Sequence, residues 1–178
     1  MKQNRIFAML LALLCVAAFS ACEKRETVVS FAKGETLEEP IGNAPNFIVM
    51  DQNGDPAQLT DFAGKPVVIN FWATWCTYCV QELPDFERAY AEYPDVVFMM
   101  INATDGVYET KKQADAFLEK TGYTFPVYYD LIGMAQVDYE ITGYPTTVFI
   151  NAQGDVVAKE VGMISYDALV QGLGLIRE

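Results

Sequence analysis

The apolar run Val67-Val68-Ile69-Asn70-Phe71-Trp72 passes without a break into Ala73-Thr74-Trp75-Cys76-Thr77-Tyr78-Cys79. No other stretch constrains the fold as strongly. A strand so uniformly apolar suits a sheet covered on both faces. The residues after it place Val80, Leu83, Phe86 and Tyr90 at helical spacing, predicting a helix to about Tyr93. Pro84 falls inside that helix and is expected to kink it. The two cysteines therefore stand where a buried strand hands over to a helix.

The flanking sequence extends this pattern. Residues 47–50 predict a short strand, 51–55 a turn around Asn53-Gly54, and 57–59 the returning strand of a hairpin. Beyond the first helix come a strand over 96–102, a loop over 103–109 and a helix over 111–121 with Ala114, Phe117 and Leu118 on one face. Gly122 is placed to stop that helix. A strand is expected over 125–129 and a short helix over 131–139. A last strand pair, 146–151 and 156–161, follows around Ala152-Gln153-Gly154-Asp155. Ser165 is a fitting N-cap for a closing helix carrying Leu169, Leu173 and Ile176. Early alternation of strands and helices with a late hairpin predicts one α/β domain with a mixed sheet, over residues 41–178.

Two segments precede that domain. Lys2 and Arg5 head an apolar run, 6–19, that is short for a membrane span, and Ser20-Ala21 stand directly before Cys22. This resembles a bacterial lipoprotein signal over residues 1–21, with Cys22 as the lipidated new N-terminus and the membrane anchor. Phe19 departs from the aliphatic residue usual three positions before that cysteine. An uncleaved signal anchor and an ordinary signal peptide are the alternatives, and all three put the domain outside the cytoplasm. Residues 22–40 are polar and aperiodic, as expected of a flexible tether. Loss of 1–21 leaves 10 basic against 24 acidic residues, a net charge of −14. Such an acidic chain is repelled by phosphate backbones, so nucleic acid is excluded as a partner.

The cysteines limit the chemistry. Processing would remove Cys15 and lipid would occupy Cys22, leaving Cys76 and Cys79 as one dithiol in a chain with no histidine. A zinc site wants about four ligands, and no second cysteine pair or histidine completes one. Haem attachment wants histidine directly after the second cysteine, where Val80 stands. An inert buried disulfide is the bland alternative. A Cys-x-x-Cys after an apolar strand points to thiol–disulfide exchange. At a helix N-terminus, unpaired N–H groups and the helix dipole favour a thiolate, so Cys76 is expected to attack and Cys79, one turn deeper, to resolve.

The run 71–79, followed by Glu82-Leu83-Pro84, resembles the thioredoxin superfamily, and within it the TlpA/ResA-like membrane-tethered branch. The resemblance extends from about Ile41 to Ile176 and takes in Gly64-Lys65-Pro66, Thr124-Phe125-Pro126-Val127 and Gly143-Tyr144-Pro145-Thr146-Thr147. It implies a thioredoxin-like fold, a central mixed β-sheet flanked by helices, with an N-terminal hairpin and a central insertion at roughly 103–133. It also implies a redox disulfide between Cys76 and Cys79 and a cis Pro145 facing it. Tyr144 and Pro145 would pair with the substrate chain as a short strand, and Trp75 would shield the nucleophile and touch substrate. Glu82 matches the acidic residue of that branch and would exchange a proton with Cys79. Asn70 stands where classical thioredoxins carry a buried aspartate, and Thr77-Tyr78 replaces their Gly-Pro.

The function so implied is an extracytoplasmic thiol–disulfide oxidoreductase, acting as a reductase of protein disulfides. Apocytochrome c is one candidate substrate, a membrane thiol donor would recharge the dithiol, and no cofactor or metal is called for. The alternatives are a dithiol oxidant that installs disulfides and a binding or metal-delivery module on the same fold.

Overall fold

The computed structural model describes residues 42–177. The predicted leader, the tether and Cys22 lie outside them. In chain order the elements are β1 (Gly42–Asn43), β2 (Ile48–Met50), β3 (Pro56–Gln58), a 3-10 turn (Leu59–Phe62), β4 (Val67–Trp72), α1 (Thr77–Glu92), β5 (Val97–Asn102), α2 (Lys111–Thr121), β6 (Val127–Tyr129), α3 (Met134–Asp138), β7 (Thr146–Ile150), β8 (Asp155–Val161) and α4 (Tyr166–Ile176). The strands form one sheet in the order β1-β8-β7-β4-β5-β6-β2-β3. β4, β5 and β6 are parallel, while β7 and β2 run antiparallel to them, so the sheet is mixed.

β4 lies at the centre and is buried at every position. Its two-residue period divides the core. Val68 and Trp72 face one apolar cluster with Leu83 and Phe86 of α1, Leu118 of α2, and Leu169 and Leu173 of α4. Val67, Ile69 and Phe71 face the other, with Phe47, Val49, Ala135 and Tyr139. Helices therefore cover both faces, and a continuous apolar strand is the result.

Register sets where function can sit. Trp72, Asn102 and Tyr129 are aligned across β4, β5 and β6, and Phe71 is opposite Thr146 of β7. The loops after β4, β5 and β6 and the loop before β7 therefore leave the sheet at the same end.

Several elements differ in detail from expectation. The buried stripe of α1 is Cys79, Glu82, Leu83, Phe86 and Ala89, whereas Val80 and Tyr90 are half-buried. Glu82, read from the resemblance as the partner of Cys79, thus lies in the buried stripe itself. α1 is continuous through Pro84. The short helix begins only at Met134, because Gly133 adopts φ 72° as its N-cap. Leu59 belongs to the 3-10 turn instead of the returning strand. The central stretch 103–133 contributes α2 and also β6, so it lengthens the sheet. Gly122 ends α2 in the left-handed region and Ser165 caps α4, both as expected.

Candidate active site

Cys76 is the N-cap of α1, in extended backbone conformation, and its Sγ accepts a hydrogen bond from the N–H of Cys79 at 3.1 Å. Cys76 and Cys79 are joined in a disulfide. The bonded Sγ of Cys76 stands in for the thiolate that the reduced protein would carry at the same place. There it would meet a donated N–H and the positive end of a 16-residue helix. Cys76 retains 6% exposure and Cys79 none. An incoming sulfur can reach only Cys76. The order of attack is thus set by burial as well as by charge.

Glu82 lies one turn beyond Cys79 on the same buried face, 1% exposed. Its Oε1 accepts from Asn70 Nδ2 at 2.8 Å, and its Oε2 from the N–H of Ile164 at 3.0 Å. Burial outweighs both donors and pushes the carboxyl up to about 7. Asn70 reaches it because strand periodicity turns Asn70 to the face of Val68 and Trp72, toward α1. Its Nδ2 also donates to Thr147 Oγ1 at 3.1 Å, while its buried Oδ1 meets no donor among the described residues.

Pro145 is buried and follows a cis bond from Tyr144. Its carbonyl accepts from the N–H of Gly162 at 2.8 Å, so pairing with any bound chain would fall to Tyr144. Trp75 is 54% exposed and meets the Tyr144 ring edge to face, centroids 5.7 Å apart. The Tyr144 hydroxyl donates to Gln136 Oε1. Cys76, Cys79 and Glu82 therefore share one helix end, while Trp75 and Tyr144 meet beside it, with Pro145 buried next to Tyr144 in the chain.

A second buried carboxyl escaped the sequence reading. Glu109, fully buried, accepts from the N–H of Thr74 (3.1 Å), the hydroxyl of Thr74 (2.7 Å) and Asn102 Nδ2 (2.7 Å). It ties the loop after β5 to the residue two before Cys76. Thr74 and Glu109 are 35 positions apart, and nothing local in either segment announces the contact. Among the described residues no group of three or more histidine, cysteine or acidic side chains could hold a metal ion. Among them, too, no helix is long and apolar enough to cross a membrane.

Known proteins share this arrangement. The AhpC/TSA family matches residues 41–159. The thiol-disulfide oxidoreductase ResA of Bacillus subtilis is 30% identical over 99% of this chain and 96% of its own. Among solved structures, the exposed lipoprotein thioredoxin Etrx1 of Streptococcus pneumoniae is 29% identical, with a TM-score of 0.67 over 74% of this chain and 99% of that one. A secreted Mycobacterium tuberculosis disulfide oxidoreductase, homologous to DsbE of E. coli, is 27% identical, with a TM-score of 0.63 over 72% and 95%.

Proposed function

The chain belongs to the AhpC/TSA family and is a thioredoxin-like protein-disulfide oxidoreductase, and from that premise we propose that it works outside the cytoplasm as a reductase of protein disulfides. The observation that carries the proposal is the asymmetry of the dithiol. Cys76 alone reaches solvent, at a capped helix N-terminus, and buried Cys79 has a carboxyl of near-neutral pKa one turn behind it.

In the reductive cycle the Cys76 thiolate attacks one sulfur of a substrate disulfide. A mixed disulfide forms, and the other substrate sulfur leaves as a thiolate. Cys79 then gives its proton to Glu82 and attacks Cys76 Sγ. The Cys76–Cys79 bond closes, the second substrate thiol departs with a proton returned by Glu82, and two electrons have passed to the substrate. During the mixed-disulfide stage the substrate backbone pairs with Tyr144 beside Pro145, and Trp75 flanks the exposed sulfur. A membrane thiol donor returns the electrons. A lipid on Cys22 would hold the domain at the membrane surface, with the tether 22–40 giving it reach. Support comes from the lipoprotein-like leader, from a similar chain that is a lipoprotein and from another that is secreted. Apocytochrome c is one substrate consistent with this placement.

The test is capture. A Cys79→Ser variant, expressed with its native leader, should accumulate mixed disulfides through Cys76 with a restricted set of extracytoplasmic proteins. The reduction potential should lie near the roughly −270 mV of thioredoxin. A value close to the about −120 mV of a strong oxidant would overturn the reductase direction.

A further inference from the structure

Exposed apolar side chains gather at one end of this molecule. Eight of the eleven large ones among the described residues fall within 73–79, 103–109 and 130–145, under a quarter of the described chain. Two loops account for the most exposed of them. After β5, Val107 and Tyr108 are 75% and 77% exposed, and after β6, Leu131 and Ile132 are 49% and 78% exposed.

Neither pair sits on loose chain. Asp105 Oδ1 accepts the N–H groups of Val107, Tyr108 and Glu109 at 2.7, 2.7 and 2.9 Å, and Glu109 clamps the loop to Thr74. On the other side, Asp130 Oδ2 accepts both the backbone N–H and the side-chain amide of Gln136, which in turn takes the Tyr144 hydroxyl. One braced arm is thus tied to Thr74, and the other, through Gln136 and Tyr144, meets Trp75, the two residues before Cys76. β5 and β6 are the first and second strands to one side of β4, so the two loops leave the sheet about 5 and about 10 Å to that side of the strand that leads into the dithiol. Held rigidly in water, four apolar side chains contribute nothing to the core and mark a contact surface.

We propose that Val107–Tyr108 and Leu131–Ile132 are the two lips of a docking surface for the polypeptide that carries the substrate cysteine, and that the segment they take is extended, apolar and cationic. The surface is continuous with the exchange site. A chain that presents a sulfur to Cys76 passes over Trp75, and where it continues toward β5 and β6 it meets the lips. No lysine or arginine occurs in 73–79, 103–109 or 130–145, while Asp105, Asp130 and Asp138 do; Lys159 reaches only the Tyr139 and Glu140 carbonyls, beyond the lips. Asp130 is fully buried, and its Oδ1 meets no donor among the described residues, an acceptor left over at the base of one lip. The Tyr144 hydroxyl is pushed up by burial first, and the charges of Asp130 and Asp105 act on it in the same direction. The proposal rests on dithiol exchange at Cys76, in either direction.

Docking can be read without the chemistry. Twelve-residue peptides, about the length needed to cross both lips, would carry serine in place of cysteine. Their flanks would be Leu/Lys, Leu/Glu or Gly/Ser, and binding to the oxidised protein would be followed by calorimetry. The Leu/Lys peptide should bind about tenfold or more tighter than either other peptide, and its advantage over Leu/Glu should shrink with added salt. Val107→Ser/Tyr108→Ser and Leu131→Ser/Ile132→Ser, all at exposed positions, should each remove most of the preference over Gly/Ser. Equal affinity for the three peptides, or a preference that survives both double variants, overturns the docking surface. A preference for Leu/Glu overturns its cationic half. Capture of lipid vesicles or self-association in place of peptide binding overturns the choice of partner. Failure of the exchange reading would appear separately, as loss of mixed-disulfide capture with peptide binding intact.

Discussion

Three loops of this protein are built in one way and finished in two. In two turns that leave their strands pointing away from the dithiol, Asp51 Oδ1 gathers the N–H groups of Asn53 and Asp55, and Asn151 Oδ1 those of Gln153 and Asp155. At the dithiol end Asp105 does the same for residues 107–109. Gly54, Gly154 and Gly106 each supply a positive φ. Yet the remote tips carry Gln52-Asn53 and Ala152-Gln153, whereas the dithiol end displays Val107-Tyr108. A turn of this kind folds equally well with polar residues at its tip. The apolar ones therefore answer to something outside the domain, and folding economy alone does not account for them.

The largest contrast between the two ends should come from the sulfur itself. Cys76→Ser is expected to lower exchange with a disulfide peptide by on the order of a thousandfold or more, because no other thiol among the described residues reaches the surface. Asn53→Ser and Gln153→Ser should leave the rate as it is. An equal loss at the remote tips would end the comparison.

Next in size is the carboxyl beneath the dithiol. Glu82→Gln should slow resolution of the mixed disulfide by about a hundredfold and abolish the rise in rate through pH 7, measured by stopped-flow. The same change should alter stability. Unfolded, Glu82 ionises near 4.5, but folded it keeps its proton to about 7. The stability it contributes is therefore complete below pH 4.5 and is lost as the pH rises through 7. The decline amounts to about 3 kcal/mol, absent in the glutamine variant and visible in denaturant titrations across pH.

Glu109 offers a smaller and more local test. Glu109→Ala leaves the buried amide of Asn102 and the N–H of Thr74 without their acceptor, at a cost of about 1–3 kcal/mol. It should also slow exchange, since Thr74 is released two residues before Cys76. Among the described residues neither remote turn is tied by a buried carboxyl, and the 151–155 turn is held instead by the Ala44 N–H, which donates to the Gly154 carbonyl at 2.8 Å. The finest discrimination comes from the turn bases. Asp105→Ala, Asp51→Ala and Asn151→Ala should lower the melting temperature by similar small amounts, and only Asp105→Ala should also weaken binding of the apolar peptide. Identical behaviour in both assays would make the three loops equivalent after all.

The sequence disclosed these features unevenly. β4 and α2 are found at their expected bounds, because a run apolar throughout and a periodic segment stopped by Gly122 are each written in adjacent residues. The dithiol was legible for the same reason. Glu82 was assigned by resemblance and spacing, but its partner Ile164, 82 positions away, was not foreseen. Glu109 and Asp130 were passed over, since a buried acid in a loop looks like a solvated one until its distant donors are known. β1 was missed because two residues are too short to show a period, and its pairing with β8 is purely tertiary. What escaped was long-range polar pairing, the part of the fold that local pattern does not encode.

The outermost strands carry one more consequence. The sheet ends on one side in β1, two residues long, and on the other in β3, three residues that begin with Pro56. Such blunt margins offer a stray extended chain few free amides to zip against. If, as proposed, the enzyme works on protein disulfides, these margins protect it from joining aggregates of its clients. Main-chain pairing with such clients would then fall to Tyr144, near the reactive sulfur, where it leads to turnover.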